Sequence, residues 1–133
     1  MRYLLSTLLV VRVSLNAQAD NHGGLANPNH IDAGALTALP HVDETLAAAN
    51  VADRPYLDAQ ALDDVLSSTL DDAQRAELYA KLFRRINLNT APESEILLIP
   101  GMNGKMAHEF EEYRPYSSLD QFRREIGKYV SDE

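Results

Sequence analysis

Apolar residues along this 133-residue chain recur at the spacing of short amphipathic helices separated by polar turns. Met102, Met106 and Phe110 lie four positions apart, so they share one face of a helix. The same pattern predicts seven short helices, and therefore an all-α fold. The predicted helices cover approximately residues 32–38, 44–53, 59–66, 73–84, 91–99, 104–113 and 119–126.

The pattern occurs twice, with a constant offset of sixty residues and no gap. Asn27-Pro28-Asn29 aligns with Asn87-Leu88-Asn89, and Arg54-Pro55-Tyr56 aligns with Arg114-Pro115-Tyr116. The aligned apolar pairs are Leu36 with Ile96, Leu39 with Ile99, Val42 with Met102, Leu46 with Met106, Leu62 with Phe122, and Leu66 with Ile126. This shared register predicts a duplicated helical unit.

We call residues 27–84 the first repeat and residues 85–133 the second repeat, and predict a domain from each. The helix predicted over residues 73–84 closes the first repeat. Its counterpart would begin at Glu133, where the sequence ends. We therefore expect the natural protein to continue by about one more short helix, so the second repeat as given lacks its last helix.

Residues with a capping preference mark several helix starts. Asp43 and Asp58 are predicted N-caps because a carboxylate accepts hydrogen bonds from the first free N–H groups of a helix. The stretch from Thr90 to Glu93 has the form of a capping box, and Ser118 has a second capping pattern with Gln121 three positions later.

The first nineteen residues have the pattern of a secretory signal. Arg2 precedes an apolar run over residues 4–11, and Ala17-Gln18-Ala19 has the form of a cleavage site. A mis-assigned start and a short membrane anchor are the alternatives. A flexible lead-in is expected over residues 20–26. We predict an exported, periplasmic or extracellular protein with no membrane span after cleavage.

The composition of the chain excludes some kinds of functional site and disfavours others. The chain has no Cys, which excludes disulfides and thiolate metal sites, and its formal net charge is -8. His22 and His30 are expected to be solvated rather than metal ligands. No nucleophile, zinc-protease or phosphate-loop motif is present, so we expect no enzymatic activity, cofactor or metal. An acidic chain is also an unfavourable prior for nucleic acid.

One predicted turn has a composition that suits an anion-binding site. The stretch Ile99-Pro100-Gly101-Met102-Asn103-Gly104-Lys105 joins two predicted helices with residues that adopt left-handed backbone readily. A tight turn there would leave several free N–H groups at the start of a helix, which is a typical anion site. A plain helix–helix turn is the alternative.

The second repeat resembles the helix-hairpin-helix domain of the competence protein ComEA. The resemblance rests on Ile86-Asn87-Leu88-Asn89-Thr90-Ala91, on Leu98-Ile99-Pro100-Gly101, and on Ala107 and Tyr113-Arg114. It covers the second repeat well and the first weakly. The resemblance implies an exported receptor whose hairpins hold the phosphates of duplex DNA through backbone N–H groups, without reading the sequence.

The resemblance places the DNA-backbone contacts on one turn of the second repeat. The implied contact residues are Gly101, Met102, Asn103, Gly104 and Lys105. A supporting basic patch is expected from Arg84, Arg85, Arg123, Arg124 and Lys128, against the alternative of a solvated surface of mixed charge.

Departures from the family pattern leave a second function open. Asn103 replaces the second hairpin glycine, and we expect it to take left-handed backbone in its place. In the first repeat the corresponding turn has lost both glycines and carries Asp43 and Glu44, which disfavour an anion. The extrinsic PsbU subunit of photosystem II is similar in fold and acts through protein contacts. The alternative is therefore an exported protein-interaction or structural module that has lost DNA binding.

Overall fold

The computed structural model describes residues 24–130. These residues form α1 (Ala33–Leu36), α2 (Glu44–Ala52), α3 (Ala59–Ser67), α4 (Asp72–Tyr79), α5 (Glu93–Ile96), α6 (Gly104–Glu112), α7 (Leu119–Ile126) and a 3-10 turn (Gly127–Tyr129). The only β pairing within them is an isolated bridge between Ala26 and Leu82. The predicted all-α fold is confirmed.

Three of the predictions concern residues that lie wholly or mostly outside this range. The expected signal segment and most of the lead-in lie outside the described residues, and so does the expected start of a further helix at Glu133. Across residues 24–130, no helix has both the length and the apolar character needed to cross a membrane.

The helices recur at the offset found in the sequence. α1, α2 and α3 begin at residues 33, 44 and 59, and α5, α6 and α7 begin sixty residues later in each case. A side-chain clasp recurs with them. The Asn29 side chain accepts from the Tyr56 N–H at 2.7 Å and donates to its carbonyl at 2.9 Å; Asn89 makes the same bonds to Tyr116 at 2.7 and 3.0 Å. These long-range bonds show that the Asn and Tyr residues shared by the two repeats have the same structural role in each.

Two hydrophobic clusters form the core. The cluster of the first repeat contains Leu36, Val42, Leu46, Ala47, Tyr56, Leu62, Leu66, Leu70, Leu78, Tyr79 and Leu82. The cluster of the second repeat contains Ala91, Ile96, Ala107, Phe110, Tyr116 and Ile126. The first is larger because the segment that includes α4 adds Leu78, Tyr79 and Leu82. This segment has no counterpart among the described residues of the second repeat.

The two repeats are in direct contact. Glu95 on α5 is buried, and its Oε1 accepts from the N–H of Ala59, the first residue of α3, at 3.1 Å. Leu98, which follows α5, packs against the core of the first repeat. A carboxylate from the second repeat thus caps a helix of the first.

Most capping predictions are confirmed. Asp43, Asp58 and Ser118 each accept a hydrogen bond from the N–H three residues later, at 2.8, 2.8 and 3.1 Å. The predicted box at Thr90 is wrong. The N-cap of α5 is Pro92, in extended backbone, with no side-chain hydrogen bond. Thr90 belongs instead to a preceding turn, where its N–H donates to the carbonyl of Asn87.

Candidate functional site

The turn between α5 and α6 depends on one left-handed residue. Gly101 has φ 82°, and the turn closes through a 2.9 Å hydrogen bond from the Met102 N–H to the Ile99 carbonyl. A side chain at such a φ is strained, whereas glycine adopts it freely. His41 occupies the equivalent position of the first repeat with φ 62°, so the same turn forms there without glycine.

Asn103 does not take the left-handed backbone expected of it. Its φ and ψ are −130° and 170°, and its Oδ1 accepts from the Met106 N–H at 3.0 Å. Asn103 is therefore the N-cap of α6, as Asp43 is the N-cap of α2. The left-handed conformation falls on Gly101, two residues earlier, and position 103 is left to begin the helix.

The start of α6 offers free donors. Within residues 24–130, the N–H groups of Asn103, Gly104 and Lys105 have no hydrogen-bond acceptor, whereas the Met102 N–H is used inside the turn. α6 has nine residues, so its dipole places positive charge at these groups. Its first turn carries Lys105 and no acid.

The start of α2 has the same backbone but the opposite charge. Asp43 is the N-cap, and Glu44 lies in the first turn. Two carboxylates therefore occupy the position that a neutral Asn103 and Gly104 occupy in the second repeat. An anionic ligand would be repelled at α2 and attracted at α6.

Lys105 is exposed beside an aromatic and acidic neighbourhood. Its Nζ lies 6.0 Å from the ring centroid of Tyr129, and the Tyr129 hydroxyl donates to Glu109 at 2.9 Å. Hydrogen bonding with Tyr113, and secondly with Glu109, raises the pKa of Tyr129. Within residues 24–130 the Lys105 cation therefore has no direct carboxylate partner, but Glu109 is hydrogen-bonded to its aromatic neighbour Tyr129.

The five residues expected to form a basic patch lie in different settings. Arg84 donates to the carbonyl of Leu57 within the first repeat, and Arg85 is exposed. Arg123 lies 3.6 Å from Asp120. Arg124 and Lys128 both bind Glu125, at 3.3 and 2.6 Å. Arg123, Arg124 and Lys128 therefore each have a carboxylate partner.

The pKa values of Glu125 and Lys128 reflect this pairing. Its hydrogen bond with Lys128, followed by that with Arg124, lowers the pKa of the Glu125 carboxyl. The hydrogen bond with Glu125 raises the pKa of Lys128 in turn. The charges at the end of α7 are satisfied locally, which reduces the field available for a polyanion.

A mainly apolar groove lies next to the turn. It has a volume of about 670 Å³ and brings Pro100 and Gly101 of the turn together with Arg123 of α7. Its apolar walls include Ile86, Ile99, Met102, Met106, Phe122 and Val130. The structure thus places the predicted turn and one predicted cation, Arg123, on one groove.

The sequence pattern did not predict the hydrogen-bond network between α3 and α4. The Asp63 carboxylate accepts from the Arg75 side chain at 2.8 Å and from the Tyr79 hydroxyl at 2.6 Å. Burial, and secondly the hydrogen bond with Asp63, raises the pKa of Tyr79. One signal existed in the sequence: Asp63 aligns with Arg123, which is a reversal of charge between the repeats.

Comparison with known proteins adds no family assignment. No protein-family model, curated protein or solved structure matches the chain. In the described part of the chain, no group of three or more His, Cys, Asp or Glu side chains is placed to hold a metal ion.

Proposed function

We propose that this protein is an exported, non-enzymatic helix-hairpin-helix protein that binds the phosphate backbone of duplex DNA without reading its sequence. The contacts come from the N–H groups of Asn103, Gly104 and Lys105, with Gly101 shaping the turn. Met102, which was also predicted as a contact, uses its N–H inside the turn, where it donates to the Ile99 carbonyl. The observation that carries the proposal is the set of three consecutive N–H groups, at residues 103–105, that lack an acceptor in the described chain. They begin a nine-residue helix whose cap is neutral and whose first turn is cationic.

The charges at the two helix starts favour phosphate binding at α6 and disfavour it at α2. A phosphate at α6 would meet the N–H groups and Lys105, whereas a phosphate at α2 would meet Asp43 and Glu44. Arg123 shares a groove with Gly101, so it is the cation best placed to assist. We therefore propose a single weak site per chain rather than a symmetric pair.

Salt titration of duplex DNA binding tests this proposal. Binding by one or two phosphate contacts should weaken as salt rises, with a slope of about −1 to −2 in log–log form. Lys105→Thr, which installs the residue found at position 45, should lower the affinity several-fold and reduce the slope by about 1.

The matched control is Thr45→Lys in the first repeat. The added cation should restore little binding to a Lys105→Thr protein, because Asp43 and Glu44 remain beside it. Binding that does not respond to salt, or that responds equally to both substitutions, would contradict the proposed site.

A second candidate is a protein-interaction or structural module of the PsbU kind, which has lost DNA binding. Two observations favour it: the carboxylate partners of Arg123, Arg124 and Lys128, and the apolar groove beside the turn. Absence of DNA binding at low salt would select this candidate.

Export belongs to the proposal and has its own test. The expected cleavage after Ala19 removes the apolar run over residues 4–11 and leaves Asp20 as the first residue. The N-terminal residue of the protein recovered from its native host, read by mass spectrometry, checks this directly. A protein retained in the cytoplasm with Met1 in place would exclude export.

A further inference from the structure

The cation of the proposed phosphate site lies one helical turn from an acid on the same helix. Lys105 and Glu109 are four residues apart on α6, so their side chains lie on one face of it. Oppositely charged side chains at this spacing form ion pairs readily. Among residues 24–130, however, no ion pair joins Lys105 to Glu109. Another contact therefore holds the Glu109 carboxylate.

Glu109 differs from the other two acids of α6 in the kind of partner it has. Glu111 and Glu112 each lie near a basic side chain, at 3.5 and 3.7 Å. The Glu109 carboxylate instead accepts a hydrogen bond of 2.9 Å from the Tyr129 hydroxyl, and Tyr129 is also hydrogen-bonded to Tyr113. Within the described part of the chain, a neutral donor thus takes the place of a basic partner at Glu109.

Tyr129 contacts both the acid and the cation. Its hydroxyl donates to Oε2 of Glu109, and the Lys105 Nζ lies over its ring, 6.0 Å from the centroid. Glu109 and Tyr129 are half-buried, whereas Lys105 is exposed. A charge-assisted hydrogen bond in a half-buried position is stronger than an exposed ion pair. The carboxylate therefore stays with the hydroxyl, and the ammonium group of Lys105 stays unpaired.

The first repeat lacks this whole cluster. The residues sixty positions before Lys105, Glu109, Tyr113 and Tyr129 are Thr45, Ala49, Asp53 and Thr69. The cation, the neighbouring acid and both tyrosines thus occur together in the repeat whose helix start has a neutral N-cap. They are absent together from the repeat whose helix start carries Asp43 and Glu44. The cluster therefore accompanies the one helix start that suits an anion.

We propose that Tyr129 is a positioning residue for the phosphate site. By holding the Glu109 carboxylate, Tyr129 prevents an ion pair between Glu109 and Lys105, which would compete with a DNA phosphate for the same ammonium group. The inference rests on the proposed DNA binding for its functional consequence. The state of the Glu109 carboxylate can be measured without DNA.

The first test measures the affinity of the full chain for a short DNA duplex at low salt, by fluorescence anisotropy. Tyr129→Phe keeps the ring and removes the hydroxyl, so Glu109 becomes free to pair with Lys105, and the affinity should fall about twofold. The same substitution should have no effect in a Glu109→Gln background or in a Lys105→Thr background. A purely structural role of Tyr129 would instead weaken binding in all three backgrounds.

Glu112→Gln is the matched control. It removes one negative charge from the same helix but leaves Glu109 in place, so it should not cancel the effect of Tyr129→Phe, whereas Glu109→Gln should cancel it. Tyr129 is half-buried and the substitution keeps its ring, so Tyr129→Phe should retain the helical circular dichroism of the parent.

The second test uses no DNA. The NMR signal of the Glu109 carboxyl carbon is compared with and without Lys105→Thr. In the parent this signal should not respond to Lys105→Thr, because the hydroxyl of Tyr129 holds the carboxylate. In the Tyr129→Phe protein it should respond, because the two side chains then form an ion pair.

Several results would overturn the proposal. One is a Glu109 signal that responds to Lys105→Thr in the parent, and another is a signal that does not respond in the Tyr129→Phe protein. A parent that binds DNA and is unaffected by Tyr129→Phe would also overturn it, as would equal rescue by Glu112→Gln and Glu109→Gln. A parent that does not bind DNA, with the NMR signals as expected, would remove the proposed DNA binding and leave the role of Tyr129 in keeping Lys105 unpaired.

Discussion

The two repeats have the same order of three helices, but among the described residues only the first has a further helix, α4, packed on its core. In the first repeat, α4 covers the core, and Asp63, Arg75 and Tyr79 form a network beneath it. In the second repeat the equivalent face is an open groove edged by Arg123. The same order of helices therefore forms a first repeat whose core is covered by α4 and whose turn is acidic. It also forms a second repeat that has a groove at the equivalent face and a neutral N-cap at its turn.

The difference extends to the cores. Asn50 in α2 is buried in the first repeat, where its Oδ1 accepts from Arg54 at 3.2 Å. Its counterpart Phe110 packs against Tyr116 and Phe122 at centroid distances of 5.7 and 5.1 Å. Aromatic packing thus supplies apolar contact in the second repeat, where no α4 counterpart is present among the described residues.

The largest expected effect comes from breaking the network of the first repeat. Arg75→Ala leaves the Asp63 carboxylate inside the molecule with the Tyr79 hydroxyl alone, and should reduce the free energy of unfolding by about 3 kcal/mol. Arg123→Ala is the control, because Arg123 is exposed and its ion pair with Asp120 should contribute at most about 1 kcal/mol. Urea denaturation measures both. Equal losses would mean that the two repeats do not differ in this way.

Removal of the contact between the repeats should have the next largest effect. Glu95→Ala leaves the buried N–H of Ala59 without its acceptor, at a cost of about 2 kcal/mol. Glu95→Gln should cost less, because the amide oxygen still accepts. Glu93→Ala, on the exposed side of α5, serves as the control in the same denaturation experiment. No difference between Glu95→Ala and Glu93→Ala would show that the contact does not stabilise the protein.

Substitutions at the left-handed residue of each turn should change the stability by a smaller amount. Gly101→Ala places a side chain at φ 82° and should destabilise the protein by about 1 kcal/mol. His41→Gly removes such a side chain but also breaks the pair with Glu77, so its net effect should be close to zero. Thermal denaturation of both variants compares the turns. A larger loss from His41→Gly than from Gly101→Ala would show that the His41–Glu77 pair, rather than backbone strain, dominates the first turn.

The smallest expected effect is the contribution of Tyr79 to pH dependence. Its folded pKa is raised above its ordinary value, by burial first and then by Asp63. The resulting stability is fully present below pH ~10 and is lost as the pH rises above that value. Tyr79→Phe should therefore make the urea midpoint less sensitive to pH between about 9 and 11. An unchanged slope would place the alkaline sensitivity on other tyrosines.

Local rules predicted where most helices begin because the causes of helix formation are local. The helices predicted to end near residues 84 and 99 end earlier, at Tyr79 and Ile96. The four-residue spacing of apolar side chains and the carboxylates of Asp43 and Asp58 act within one or two turns of chain. The Thr90 prediction was wrong because a capping pattern does not decide which of several turns the helix follows. The Asn103 prediction was wrong because one left-handed residue, Gly101, already closes the turn.

The candidate site was predicted only in part. The stretch from Ile99 to Lys105 was identified because its composition is unusual, and the predicted turn forms between α5 and α6. Anion binding at this turn stays a prediction. The partners of Arg123, Arg124 and Lys128 were not predicted, although Asp120 and Glu125 lie within four residues of them. Surface charges of both signs on one short helix can pair in several ways, and only the folded geometry selects one.

The sequence by itself determined the all-α fold, the sixty-residue duplication and the reversal of charge between the two turns. These follow from residue spacing and from residue identity, which a chain carries before it folds. Only the tertiary structure decided that Glu95 caps a helix of the other repeat, and that α4 packs on a face of the first repeat whose equivalent in the second repeat, among the described residues, lines a groove. Such contacts join residues about twelve to thirty-six positions apart. They depend on how whole helices pack, and no local pattern specifies that.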